Sequence, residues 1–273
     1  MKIIRPKTLE DNLKESIKAI RSQTKLKPKI AIILGSGLGE FAETISSSAV
    51  IDTQSIPHYP HSSVEGHKGR LIFGKIGKVA LLAFQGRVHF YETGNIETIL
   101  YPIRVAHALG IKTLIVTNAA GGINKQFTPG DLMLITDHIN LTFQNPLGNK
   151  SVSLHNQPLY DLDFQNKIID IARTADIHLQ SGIYCGLKGP SYETASEVRM
   201  IGKLGADAVG MSTVNEVSLA FSLGMRVAGF SCITNLSTGI LDQKLSHQEV
   251  TEVANRVRHT FSRLITGVVE ELG

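Results

Sequence analysis

Short runs of apolar residues, each followed by small or polar residues, recur along the whole chain and constrain its fold most. These apolar runs are typical of buried strands, and segments with apolar residues at helical spacing separate them. The strand-like runs cover 29–34, 79–84, 112–117, 132–135, 182–187, 206–209 and 225–233, and the helical segments cover 8–24, 96–109, 164–175, 195–204 and 214–223. This alternation predicts an α/β fold with a central mixed, mostly parallel β-sheet flanked by helices.

The chain end adds one more helix to this pattern. Ser246 and Glu249 have the spacing of a capping box, which predicts a helix to about Leu272 with His247 in its first turn. No repeat, linker or break in composition divides the sequence. We therefore expect a single domain over 1–273, with an N-terminal helix in 1–26 and a catalytic core in 27–273.

The composition limits the class of protein. Hydrophobic residues make up 42% and charged residues 19% of the 273 residues, which allows a large core. A net charge of +4 is too small for a nucleic-acid-binding surface, although it suits an anionic small substrate. The N-terminus lacks the apolar region of a signal peptide, and no stretch could span a membrane. Since only Cys185 and Cys232 occur, each in an apolar run, we expect a cytoplasmic protein.

Polar side chains are concentrated behind one apolar run, in Gln85-Gly86-Arg87-Val88-His89-Phe90-Tyr91-Glu92-Thr93-Gly94. If the strand continues to Tyr91, its period of two puts Arg87, His89 and Tyr91 on one face. A guanidinium, an imidazole and a phenol together suit a small anionic ligand with an apolar body. The alternative is an exposed strand end with solvated charges. Glu92 would turn away from this face, and we expect it to orient His89 or a neighbouring element.

Two other strand-like runs lead into small residues. Gly35-Ser36-Gly37-Leu38-Gly39 either brings backbone N–H groups and a hydroxyl close to a phosphate or is a tight turn without a ligand. Its glycine spacing differs from the G-x-G-x-x-G of dinucleotide-binding folds, which disfavours a dinucleotide-dependent oxidoreductase. Asn118-Ala119-Ala120-Gly121-Gly122 predicts a second loop at a strand's carboxyl end, the edge where open α/β sheets bind ligands.

Two segments are rich in polar and turn residues. Residues 55–70 contain His58, His61 and His67, but no cysteine or carboxylate with ligand spacing accompanies them, so we predict no metal site. This segment is either a loop that closes over a site or an ordinary surface excursion. Residues 140–162 are long for a connection in a compact domain, which indicates a functional loop or a subunit contact.

Seven motifs occur in the order found in one known family. They are Gly35-Ser-Gly-Leu-Gly39, Glu65-Gly-His67, Gly86-Arg-Val-His-Phe-Tyr-Glu92, Asn118-Ala-Ala-Gly-Gly122, Gly189-Pro-Ser-Tyr-Glu-Thr194, Gly210-Met-Ser-Thr213 and Thr234-Asn235. From about residue 27 onward the chain closely resembles the trimeric, low-molecular-mass purine nucleoside phosphorylases. The resemblance implies a homotrimer of purine salvage that cleaves purine nucleosides with inorganic phosphate, without a metal or other cofactor. The products would be the free base and a (deoxy)ribose 1-phosphate, with inversion at the anomeric carbon.

The resemblance also implies a role for each matching residue. Phosphate would be held by Ser36, His67, Arg87, His89, Ala119 (through its backbone N–H) and Ser212. The nucleoside would contact Tyr91, Tyr192, Glu193, Met211, Thr234, Asn235 and His247. The catalytic groups would be Asn235, Glu193 and His89. Asn235 would donate a hydrogen bond to N7 or O6 of the departing purine, and Glu193 would accept from N1–H and N2–H.

These base contacts imply that inosine and guanosine are preferred to adenosine, because an unpaired buried polar group strongly disfavours the wrong base. Methylthioadenosine phosphorylases carry an aspartate where Asn235 stands, which disfavours that alternative. A hydrolytic nucleosidase and a non-catalytic purine-binding protein are further alternatives.

The sequence departs from the family's pattern in three places. Asn215 replaces a common proline, and Leu236 stands where a lysine is often found. In residues 149–165 the family usually places a phenylalanine that enters the neighbouring subunit's ribose site. Leu159, Tyr160 or no residue takes that role here.

Overall fold

The architecture is given by a computed structural model that describes residues 8–64, 66–148, 157–240 and 247–273, with side chains from Glu252 onward in the last range. The strands are β1 (Ile30–Leu34), β2 (Ser46–Asp52), β3 (Arg70–Ile76), β4 (Val79–Gln85), β5 (Thr113–Gly122), β6 (Leu132–Asn140), β7 (Leu179–Gly186), β8 (Ala208–Gly210) and β9 (Arg226–Leu236). The α-helices are α1 (Leu9–Gln23), α2 (Phe90–Thr93), α3 (Ile96–Ala108), α4 (Leu162–Thr174), α5 (Ala195–Lys203), α6 (Val214–Ser222) and α7 (His247–Leu272). Two short 3₁₀ segments cover Gly39–Thr44 and Thr53–Ser55.

The strands form one mixed sheet in the order β2-β3-β4-β1-β5-β8-β7-β6-β9, and β9 also pairs with β5. This last pairing closes β5, β8, β7, β6 and β9 into a ring. Strands β4, β1, β5 and β9 run parallel, with Leu34 beside Gln85 and Ile33 beside Val116. Their carboxyl ends therefore meet at one edge of the sheet, as expected for a ligand site in an α/β fold. The predicted fold class is confirmed.

Alternating side chains of each central strand enter cores on opposite faces of the sheet. In β1, Ala31 and Ile33 face one core, whereas Ile30, Ile32 and Leu34 face the other. Helices α1, α3 and α6 contribute to the first core, and α4 and α7 contribute to the second. The result is the predicted sheet covered by helices on both faces. Among the described helices, none is long and apolar enough to cross a membrane.

Two local predictions were wrong. Strand β4 ends at Gln85 because Gly86 adopts a φ of 106°, and residues 90–93 then form the short helix α2. Arg87, His89 and Tyr91 therefore do not share the face of one strand. Residues 118–122 are not a loop but the end of β5, where their small side chains let β8 and β9 pair closely on either side.

Tyr160 and Leu159 are the two candidates for the role of the family's phenylalanine in residues 149–165. The side chain of Tyr160 is fully buried, and its hydroxyl lies 3.0 Å from Nδ1 of His138. Leu159 packs against the first core. Tyr160 thus belongs to the core of its own chain. Residues 149–156 lie outside the described residues, as does Ser246 with its predicted cap.

Gly35 provides a stability test because the backbone approaches it closely. A Cβ there would lie 2.7 Å from the carbonyl oxygen of Thr117 and 2.8 Å from Cα of Asn118. We expect Gly35→Ala to lower the free energy of unfolding by about 1–3 kcal/mol, measured by urea denaturation, because backbone must move. In the same loop Gly39→Ala is the control, since its Cβ would meet nothing closer than 3.7 Å. Equal stability of the two variants would contradict this close approach.

Candidate active site

A cavity of about 800 Å³, including space open to solvent, lies where β1, β4, β5 and β9 end. Its wall contains eleven of the residues named from the sequence: Ser36, Arg87, His89, Tyr91, Ala119, Tyr192, Glu193, Met211, Ser212, Thr234 and Asn235. Residues far apart in sequence are thus brought to one place, with the guanidinium of Arg87 and the hydroxyls of Ser36 and Ser212 near the glycine loop. The side chain of His247 lies outside the described residues.

His67 lies beside the cavity and is not among the residues that line it. Its Nε2 is 3.1 Å from Oγ of Ser36, and its Nδ1 is 3.0 Å from the backbone N of Arg87. Burial lowers the pKa of His67 to about 4, although a backbone contact with Arg87 opposes the shift. The ring is therefore neutral near pH 7, and it connects Ser36 to the backbone that presents Arg87.

Arg87 is buried and held by acceptors from two elements. Its Nη1 donates to Oε1 of Glu216 at 3.1 Å and lies 3.4 Å from Oγ1 of Thr213, while Nη2 donates to the carbonyl oxygen of Thr117. The guanidinium still lines the cavity. A cation fixed in this way is pre-oriented for an anionic ligand.

The turn before α6 is strained. Thr213 has a φ of 77° and a ψ of −55°, and the backbone N–H of Val214 donates to the carbonyl oxygen of Ser212 at 2.9 Å. This is the geometry of a γ-turn that non-glycine residues rarely adopt. Asn118 stabilises it by donating from Nδ2 to Oγ1 of Thr213 at 2.8 Å. The turn places Ser212 on the cavity wall and Glu216 behind Arg87.

Three aromatic rings form a stack, and two of them, His89 and Tyr91, line the cavity. The ring centroids of His67 and His89 are 5.2 Å apart, and those of His89 and Tyr91 are 5.1 Å apart. The short helix α2 produces this arrangement, since it turns Tyr91 back over His89 where an extended strand would not.

Glu92 contacts His89, as expected, and also fixes a neighbouring loop. Its carboxylate accepts from the backbone N–H of His89 at 2.6 Å and lies 3.3 Å from Nδ1 of that ring. It also accepts from the backbone N–H of Ser63 at 2.6 Å and from Oγ of Ser62 at 3.0 Å. Burial raises the pKa of Glu92, but hydrogen bonds from His89 and Ser63 outweigh it and lower the pKa to about 2. The carboxylate is therefore ionised at neutral pH.

The cavity wall also presents a carboxylate and an amide. Glu193 is buried, and its pKa is raised by burial, with repulsion from Glu197 adding to the shift. Oδ1 of Asn235 accepts from Oγ1 of Thr234 at 3.0 Å, and Nδ2 lies 3.3 Å from the carbonyl oxygen of Leu236. Tyr192 is half exposed at the rim. These donors and acceptors suit a planar heterocycle with polar edges.

Several supporting residues were missed from the sequence, among them Asn118, Thr213, Glu216 and Ser237. Glu216 had a detectable signal, because it stands one residue before the buried Val217 and four before the buried Ala220 in a predicted helix. A carboxylate on such an apolar face requires a buried partner. The strained backbone of Thr213 has no comparable sequence signal. In the part of the chain that the structure describes, no group of His, Cys, Asp or Glu side chains could hold a metal ion.

Comparison with known proteins agrees with this geometry. The family model described as the phosphorylase superfamily matches residues 29–270. Purine nucleoside phosphorylase 1 of Bacillus subtilis (strain 168) is 45% identical over 271 residues, which cover 96% of this chain and 99% of that protein. Purine nucleoside phosphorylase of Mus musculus is 39% identical over 280 residues, with 97% and 96% covered.

Solved structures give the same result. Purine nucleoside phosphorylase of Schistosoma mansoni in complex with adenosine superposes with a TM-score of 0.90 at 33% identity, covering 96% of this chain and 98% of that one. Isoform 2 from the same organism, in complex with cytosine and ribose-1-phosphate, has a TM-score of 0.87 at 35% identity, covering 96% and 97%. The chain belongs to the phosphorylase superfamily. Within it, the relatives described here are purine nucleoside phosphorylases, which confirms the resemblance seen in the motifs.

Proposed function

We propose that this protein is a purine nucleoside phosphorylase that transfers the pentose of a purine nucleoside to inorganic phosphate. The main support is the cavity, whose wall carries Arg87 and two serine hydroxyls together with the carboxylate of Glu193 and the amide of Asn235. The relatives at 39–45% identity bear the name of this activity. Purine salvage would be its metabolic role.

The chemistry follows from the kinds of group that line the cavity. Phosphate would be the nucleophile at the anomeric carbon, held by Ser36, Arg87, His89, the Ala119 N–H and Ser212, with His67 supporting Ser36. The transition state of such a glycosyl transfer resembles an oxocarbenium ion, so the phosphate charge also stabilises it. The bond to the purine breaks, its electron pair moves to the base, and the sugar 1-phosphate forms with inversion.

The base would be recognised and activated by the same two groups. Nδ2 of Asn235 would donate to N7 or O6, where negative charge grows as the purine leaves. Glu193, ionised, would accept from N1–H and N2–H. Tyr192 would stack beside the base, Tyr91 and Met211 would contact the ribose, and His247 would reach the 5′-hydroxyl. This pairing favours inosine and guanosine over adenosine.

Three further properties complete the proposal. The reaction would need no metal or organic cofactor, because phosphate supplies the nucleophile and Asn235 stabilises the leaving group. The protein would form a homotrimer, and Phe143, whose side chain is 89% exposed, is suited to burial at a subunit contact. Its location would be the cytoplasm, where the free, buried Cys185 and Cys232 would stay reduced.

The identity of the sugar product tests this proposal. With inosine and phosphate, ³¹P NMR should detect a pentose 1-phosphate that forms in equal amount with hypoxanthine, in the α configuration. Formation of free ribose would instead identify a hydrolytic nucleosidase, and binding of inosine without turnover would identify a purine-binding protein.

The orienting role of Glu92 gives a second prediction. In Glu92→Gln the amide can no longer accept from both His89 and Ser63, so His89 and the loop at 62–64 lose their common anchor. We expect kcat/KM for phosphate to fall about tenfold, because donors are left unpaired, and its pH profile to change. Glu97→Gln, which alters an exposed ion pair with Arg104, is the control. Unchanged phosphate affinity and an unchanged pH profile would show that Glu92 has no such role.

A further inference from the structure

We propose that Glu216 is a positioning residue that fixes Arg87 and, through its negative charge, limits the affinity of the site for phosphate. This inference rests on the proposed function, since it assigns the cavity end near Arg87 to phosphate. Glu216 does not line the cavity and acts only through Arg87.

The contact is a buried ion pair with little access to water. Nη1 of Arg87 lies 3.1 Å from Oε1 of Glu216, and each side chain is 5% exposed. Screening by solvent and salt is weak at such a site, so the two charges interact more strongly than a surface pair. Burial raises the pKa of the Tyr184 phenol, and the charges of Arg87 and Glu216 shift that pKa in opposite directions. The positive charge of Arg87 is therefore already compensated before any anion enters.

The hydrogen bonds of Arg87 divide its donors between protein and cavity. A guanidinium has five N–H groups, and Glu216, Thr213 and Thr117 accept three of them. None of the described residues accepts a hydrogen bond from the other two, and because Arg87 lines the cavity they are available to a ligand there. Glu216 thus fixes the plane of the guanidinium, which two contacts to neutral oxygens alone would hold less firmly.

The local charge balance is unusual for an anion site. Arg87 contributes one positive charge, and Glu216 contributes a negative charge directly beside it. Phosphate must therefore bind to a cation whose charge a carboxylate already offsets. A site selected only for affinity would not place a carboxylate there. An enzyme, however, gains nothing from binding substrate and transition state equally tightly. Glu216 would let the site release its sugar phosphate product while it keeps Arg87 in place.

One rigid element couples this carboxylate to another phosphate contact. Glu216 is in the first turn of α6, and Ser212 precedes that helix across the γ-turn at Thr213. Oγ1 of Thr213 contacts both Arg87 and Oγ of Ser212. The start of α6 therefore sets the position of the arginine and the serine together.

Calorimetric titration with inorganic phosphate, without nucleoside, separates charge from geometry. Glu216→Gln keeps the shape and one acceptor oxygen but removes the charge, so phosphate should bind about tenfold more tightly than to the wild type, with KM for phosphate lowered and kcat not raised. Glu216→Asp keeps the negative charge but moves it one methylene further from Arg87, so this variant should bind phosphate with intermediate affinity. Glu97→Gln, the same change at an exposed arginine-paired glutamate, should bind as the wild type does.

The direction of the change decides the inference. A residue with a purely structural role can only weaken binding when it is replaced, so phosphate binding to Glu216→Gln that is equal or weaker would overturn the proposal. If Glu216→Gln does not fold, Glu216→Asp decides it in the same way. Failure of the proposed function is a separate result, because the wild-type protein would then show no phosphate binding or no phosphorolysis.

Discussion

Replacing Asn235 by aspartate should reverse the preference of the enzyme from inosine towards adenosine. Thr234 donates to Oδ1 of Asn235, and Nδ2 donates one N–H to the carbonyl oxygen of Leu236 and keeps the other for the base. In Asn235→Asp the hydroxyl still holds one oxygen, and the other becomes an acceptor where a donor stood. A 6-oxopurine then faces an acceptor with its own O6, whereas adenine offers its amino group.

The size of the effect follows from leaving buried polar groups unpaired. We expect the ratio of kcat/KM for inosine to that for adenosine to fall by roughly 10³–10⁴. Asn166→Asp, which adds a carboxylate to the exposed face of α4, controls for the added charge. Steady-state kinetics with both nucleosides at saturating phosphate provide the measurement. An unchanged ratio would remove Asn235 from the base site.

Replacing Arg87 by lysine should nearly abolish the use of phosphate although the charge is kept. An ammonium has three donors at one point and lacks the planar fork, so it cannot reach Glu216, Thr117 and the ligand together. The expected loss in kcat/KM for phosphate is about 10³-fold, the scale found when a pre-oriented donor to a reacting group is removed.

Two controls keep this result interpretable. Arg104→Lys makes the same substitution at an exposed ion pair on α3 and should leave the kinetics unchanged. The unfolding midpoint of Arg87→Lys should be compared with that of the wild type, since a partly unfolded sample would lose activity for another reason. A folded Arg87→Lys variant with phosphate kinetics within about threefold of the wild type would contradict the assigned role.

The parts of the fold that the sequence predicts best are those in which burial and local pattern agree. Strands β1 and β4 are continuous apolar runs because both faces of the sheet are covered, and they were located from that signal. Strand β2 was missed because it lies at the edge of the sheet and most of its side chains are exposed, which leaves no apolar run. The extension of β5 through residues 118–122 was missed because small residues have low strand propensity, and pairing with β9 overrides it.

The residues of the candidate site also differ in how well the sequence predicts them. Residues in glycine-containing motifs, such as Ser36 and Arg87, could be found from the sequence because their spacing resembles a known family. Their supports could not, since the contact between Arg87 and Glu216 joins residues 129 positions apart. It also depends on the turn before α6, where Thr213 contacts Asn118 of β5. The direction of Tyr91 was likewise undetermined, because one glycine conformation converts a predicted strand end into a helix.

Dependence on phosphate distinguishes a phosphorylase from a hydrolase and from a binding protein. The purified protein would be assayed for release of base from inosine, guanosine and adenosine, with phosphate present and with phosphate removed. We expect rapid release of hypoxanthine and guanine only with phosphate, and much slower release of adenine. Hydrolysis at the same rate without phosphate, or no release of hypoxanthine with phosphate present, would contradict the proposed activity.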